Sequence, residues 1–80
     1  MQAYKTKEFS RLARKAKVTD RELQAAAEEI EKGRIDADLG AHLVKQRISQ
    51  GPGGRSNSHR AIVATKEGDR IVFLHLFAKN

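Results

Sequence analysis

Leu43-Val-Lys-Gln-Arg-Ile48, then Ser49-Gln-Gly-Pro-Gly-Gly-Arg-Ser-Asn-Ser58, then His59-Arg60: this stretch decides the reading of the chain. It begins as a strand and ends as a strand. Val44, Gln46 and Ile48 fall on one face of the first strand, and Leu43, Lys45 and Arg47 on the other. The ten residues between are rich in Gly, Ser and Asn, which suits a loop. Lys45, Arg47, Arg55, His59 and Arg60 lie along the stretch, and no carboxylate does. A segment both cationic and loop-like suits a polyanion, because the charges hold phosphates and the glycines let backbone approach them.

Outward from this stretch, the N-terminal half supplies two helices. From Thr6, the positions Phe9, Leu12, Ala13 and Ala16 follow the i, i+3, i+4, i+7 spacing of an amphipathic helix, with Arg11, Arg14 and Lys15 outside. Thr19-Asp-Arg-Glu22 is a capping box that opens a second helix. Leu23, Ala26, Ala27 and Ile30 form its apolar stripe, and Gly33 stops it. The short Lys17-Val18 link predicts a helical hairpin. Residues 34–40 read as a connector. Met1 to Lys5 reads as a short edge strand, and Arg60 to Thr65 as a strand. Lys66-Glu-Gly-Asp69 is a hairpin turn, and Ile71 to Ala78, nearly all apolar, is expected at the centre of the sheet. The predicted fold is α+β: a small antiparallel sheet with two N-terminal helices packed on one face, in the order β-α-α-β-β-β.

Eighty residues correspond to one domain, residues 1–80, with a small core. Cysteine is absent, so disulfides and thiolate metal sites are excluded, as expected of a cytoplasmic protein. No apolar run reaches the roughly 20 residues of a membrane span, and the N-terminus has no apolar signal core. The net charge of +6 is unevenly spread. Residues 1–18 hold six basic groups against Glu8, and residues 41–80 hold seven against two acids. Residues 19–40 hold three basic groups against seven acids. Confining the acids to one helix and its exit leaves a basic footprint for nucleic acid.

The chemistry such a footprint allows is phosphate chemistry. Converging cations stabilise the charge that equatorial oxygens gain in a pentacoordinate transition state. Arginine binds phosphate bidentately, while lysine acts as a point charge or a base. His59 is a candidate acid or base. His75, inside the apolar strand, reads as structural. The acids are not clustered near the histidines, so neither a metal nor another cofactor is expected. No nucleophile elbow, phosphate-binding loop or dinucleotide fingerprint is present.

The chain resembles the RelE/ParE superfamily of bacterial toxins, and within it the RelE/HigB-like group. The resembling segments are Tyr4-Lys-Thr-Lys-Glu-Phe-Ser10, Ala13-Arg-Lys15, Asp36-Ala-Asp-Leu-Gly40, Leu43-Val-Lys-Gln-Arg47, Gly54-Arg-Ser56, His59-Arg60 and Phe77-Ala-Lys-Asn80. The resemblance implies a metal-independent ribonuclease that cuts mRNA, usually in the ribosome, by attack of a ribose 2′-OH on the adjacent phosphate. It also implies a cognate antitoxin as protein partner. On this resemblance Lys45 or His59 is the base, Arg47 and Arg60 clamp phosphate, Arg55 anchors RNA, and Lys79 is a further cation or acid. Alternatives are a ParE-like gyrase poison and a non-catalytic binding relative. The chain departs from the family pattern at Asn57, Ser58 and His59, where two glycines and an aromatic are expected before the arginine. The aromatic would stack a base; His59 offers proton transfer instead. The family also continues through a charged segment past the position of Asn80.

Overall fold

The computed structural model describes residues 2–50, 59–65 and 69–78. Its elements are β1 (Gln2–Lys5), α1 (Lys7–Ala16), α2 (Asp20–Glu31), β2 (Ala37–Gly40), β3 (Leu43–Ile48), β4 (His59–Ala64) and β5 (Arg70–Ala78). The helix ends follow from local chemistry. The Thr6 hydroxyl accepts the Phe9 N–H at 3.0 Å and caps α1. Thr19 and Glu22 close both halves of the capping box on α2. Between the helices, Lys17 turns the chain with a left-handed φ of 62° and donates to the Ala13 and Arg14 carbonyls. Gly33, at φ 79°, turns the chain away after α2.

The five strands form one sheet in the order β1-β5-β4-β3-β2. All pairs are antiparallel except β1 with β5. The expected order of elements is present, with one addition. The segment read as a connector contains β2, which pairs with β3 and forms the far edge of the sheet. A second expectation is corrected: the central strand is β4, and β5 lies between β4 and the short parallel edge strand β1. β5 is flanked by β4 and, along Arg70–Phe73, by β1, and its apolar run does not require the central position.

Both helices pack on one face. Phe9, Ala13, Leu23, Ala26, Ala27 and Ile30 meet Val44, Ile48, Ala61, Val63, Ile71, Phe73 and Leu76 in a single buried cluster. Phe9 and Phe73 form its centre, with ring centroids 5.2 Å apart. The strand alternation places Leu43, Lys45 and Arg47 on the opposite face, as expected: Val44 and Ile48 are buried, Lys45 is half-buried and Arg47 exposed.

The β2–β3 hairpin carries local strain. Gly40 pairs with Leu43, so Ala41 and His42 form a two-residue turn, and both have positive φ, 53° and 63°. Glycine and asparagine tolerate this geometry, and other residues lose about 1 kcal/mol or more in it. The turn is held from outside by Thr65, whose N–H and hydroxyl both donate to the His42 carbonyl, at 2.7 and 3.2 Å. Replacing Ala41→Asn and His42→Gly together should raise stability by about 1 kcal/mol, an increase of roughly 4–8 °C in melting temperature for a domain of this size. Thermal unfolding followed by circular dichroism measures it, and a lower melting temperature would show that the turn is not where strain resides.

Candidate functional site

The helices leave the second face of the sheet without a helical cover among the described residues. Antiparallel partners directly opposite one another share a face, so the ladders identify what stands there. Arg47 faces Arg60 across β3–β4, and Arg60 faces Phe77 across β4–β5. One row therefore reads Arg47, Arg60, Phe77. The adjacent row reads Lys45, Ile62, His75. Lys45 is diagonal to Arg60, at about 7–8 Å between backbones. Three cations from two strands thus gather at one end of the face.

Their environments differ. Arg47 is exposed, whereas the Arg60 side chain is only 9% accessible. A buried guanidinium needs a partner, and Arg60 has one in Asp36. Its Nε donates to Asp36 Oδ2 at 2.7 Å. Asp36 sits just before β2, with its backbone N–H bonded to the Lys45 carbonyl at 3.0 Å. The ion pair therefore reaches from β4 over β3 to the start of β2. Asp36 also offsets the repulsion of two arginines placed directly opposite. Arg60 Nη1 is buried and has no hydrogen-bond partner among the described residues.

The structure brings together Lys45, Arg47 and Arg60. It places His59 elsewhere. His59 faces Ile48 in the ladder, and Ile48 is fully buried on the helix side. The ring is tied there as well: Nδ1 bonds Gln50 Oε1, and Gln50 Nε2 donates to the Ala16 carbonyl at 3.2 Å. Because that carbonyl can only accept, the Gln50 oxygen is turned towards His59, and Nδ1 carries the proton of this bond. Adjacent strand residues point to opposite faces, so Arg60 and His59 cannot both stand with Lys45. Arg55 and Lys79, and most of the loop between β3 and β4, lie outside the described residues, as does the Lys66–Gly68 part of the expected turn.

Two side chains stand beside the cations in a way that the sequence alone did not suggest. His75 is 52% accessible, stacks on Phe77 with centroids 6.1 Å apart, and lies 4.0 Å from Glu8 Oε2. An apolar run conceals this, because a bulge between Ile62 and Val63 resets the alternation along β5. Asp36 is the other, hidden in a segment that read as a connector. Among the described residues no group of His, Cys, Asp and Glu side chains is arranged to hold a metal ion, and no helix is long and apolar enough to cross a membrane.

The RelE toxin of the RelE/RelB toxin–antitoxin system is the family whose model matches, over residues 1–80. The chain belongs to the RelE toxin family. Toxins of this family pair with an antitoxin. No curated protein and no solved structure matches the chain.

The burial of Arg60 separates it from Arg47 in stability terms. Arg60→Ala removes a charged hydrogen bond and leaves Asp36 without its partner, which should cost roughly 1.5–3 kcal/mol. Arg47→Ala, at an exposed site, should change stability by no more than about 0.5 kcal/mol. Urea unfolding of both variants gives the comparison; equal midpoints would show that the Asp36–Arg60 pair contributes nothing to the fold.

Proposed function

We propose that this RelE-family chain is an mRNA endoribonuclease that acts by 2′-OH attack on the adjacent phosphate, in the cytoplasm and on ribosome-bound message. The observation that carries the reading is the gathering of Lys45, Arg47 and Arg60 on the sheet face that no helix covers among the described residues. An RNA backbone laid over that face meets cations at its phosphates and side-chain rings beside them. Arg47 and Arg60 offer guanidinium donors to the phosphate oxygens. Preorganised donors of this kind favour the transition state because its equatorial oxygens bear more charge than those of the substrate.

The reaction needs a base at the 2′-OH and an acid at the leaving 5′-oxygen. Lys45 is the base of this proposal, since it shares the cationic face and His59 does not. The bond that forms joins the 2′-oxygen to phosphorus, the bond that breaks is phosphorus to 5′-oxygen, and the products are a 2′,3′-cyclic phosphate and a 5′-hydroxyl. Arg55 and Lys79 remain proposed as RNA anchor and further acid. Phe77 and His75 offer stacked rings to an unpaired base.

The test is cleavage of a translated message, with product ends identified chemically. Cleavage should persist with EDTA and stop when the scissile nucleotide is 2′-deoxy. Lys45→Ala and Arg47→Ala should each lower the rate by roughly a hundredfold or more, while Arg21→Ala, on the helix layer, should not. A folded protein that leaves message intact but causes gyrase-dependent DNA breaks would overturn the ribonuclease reading in favour of a gyrase poison.

A further inference from the structure

We infer that Asp36 is a positioning residue for Arg60: its carboxylate holds the guanidinium through Nε–H and sets where the guanidinium stands relative to a bound phosphate. The inference rests on reading the cationic face as an RNA site. Arginine carries five N–H donors. The 2.7 Å bond to Asp36 engages the Nε–H, and Nη1 is buried without a hydrogen-bond partner among the described residues. A buried charged donor left unmatched costs free energy in the free protein.

The geometry also ties Arg60 to the rest of the site. Asp36 is bonded through its backbone to the Lys45 carbonyl, so the group that orients Arg60 is fixed to the strand that bears Lys45 and Arg47. Flexible arginines lose rotamer freedom when they bind phosphate. Arg60 has already lost it in the fold. The carboxylate has an opposing effect on affinity, because its charge offsets one of three cations. Asp36 therefore weakens ground-state RNA binding while improving placement at the reacting phosphate. Misplacement of such a donor can cost up to about a hundredfold in rate.

Charge and placement are separable by three substitutions. Asp36→Asn keeps an acceptor oxygen at the same reach and removes the charge. Asp36→Glu keeps the charge and moves the acceptor by one methylene. Asp36→Ala removes the acceptor and leaves Arg60 unpaired, so this variant is the one at risk of failing to fold. Single-turnover cleavage and binding of a 2′-O-methyl RNA oligonucleotide are measured for each folded variant. Expected results are a rate within about threefold of the parent for Asp36→Asn, with equal or tighter RNA binding. For Asp36→Glu, a rate loss of about tenfold or more is expected, with binding little changed. The opposite order, Glu active and Asn inactive, would show that charge and not placement matters and would overturn the inference. Parent-like rates in all variants would do the same.

A second readout does not depend on activity. The Arg60 Nε–H signal in a nitrogen-15 NMR spectrum should be protected from solvent exchange in the parent and in Asp36→Asn. Protection should be lost in Asp36→Ala. An unprotected Arg60 Nε–H in the parent overturns the inference whatever the enzyme does. A parent that cleaves no RNA, yet protects this proton and loses the protection in Asp36→Ala, overturns the ribonuclease reading alone.

Discussion

Two short helices can bury only one face of a five-stranded sheet, and this constraint governs everything else in the molecule. The helices supply Phe9, Ala13, Leu23, Ala26, Ala27 and Ile30 to a single cluster against the sheet. Every interior strand must then present apolar side chains to that cluster at alternate positions. The intervening positions are released from packing and are free to carry function. Because the side-chain period of a strand is two, a register shift of one residue would exchange the two faces completely. The core therefore specifies the site: pairing Val44 with Val63 and Gln46 with Ala61 is the same act as pairing Arg47 with Arg60.

That arrangement has a cost in a small domain, where the net stability is only a few kcal/mol. Arg60 is a buried cation facing another arginine, and Gln46 is a buried amide whose Oε1 has no hydrogen-bond partner among the described residues. Hydrophobic replacements at such sites are commonly neutral or stabilising. A sequence chosen for stability alone would place apolar side chains at both. Arg60 retains its cation and has Asp36 to hold it, as the phosphate-binding role proposed for it requires. A partner that binds only the folded toxin adds stability by mass action, so the complete pair is less exposed to this cost than the toxin alone.

Much of the fold was legible in the sequence because it is written in local chemistry. The capping box at Thr19 and Glu22, the apolar stripes and the alternation of residues 43–48 each depend on neighbours a few residues away. What was not legible depends on distant partners. β2 has four residues, among them an acid and a glycine, a composition that reads as a connector, and it becomes a strand through pairing with β3. The central position of β4 is a matter of topology, and β5 is the more apolar of the two. Of the candidate site, Lys45 and Arg47 were readable from their spacing on one strand. Asp36 was not, since its partner lies 24 residues away on a strand it does not pair with. His75 was read as structural because a bulge is invisible to a period-two pattern.

The ladder also resolves the departure at His59. The family pattern has an aromatic immediately before the arginine, and its replacement removes a ring that was expected to stack a base. The residue at this position faces Ile48 on the helix side, so a ring there would pack towards the helices, away from the cations. Base stacking on the cationic face must come from a residue that shares the face with Arg60. Phe77 meets that condition: it is the direct ladder partner of Arg60, it is partly exposed, and it stacks on His75. The replacement by His59 is thus a change on the helix side of the sheet. It uses the Gln50 bridge to α1 in place of apolar packing, and it leaves Lys45, Arg47, Arg60 and Phe77 together on the other face.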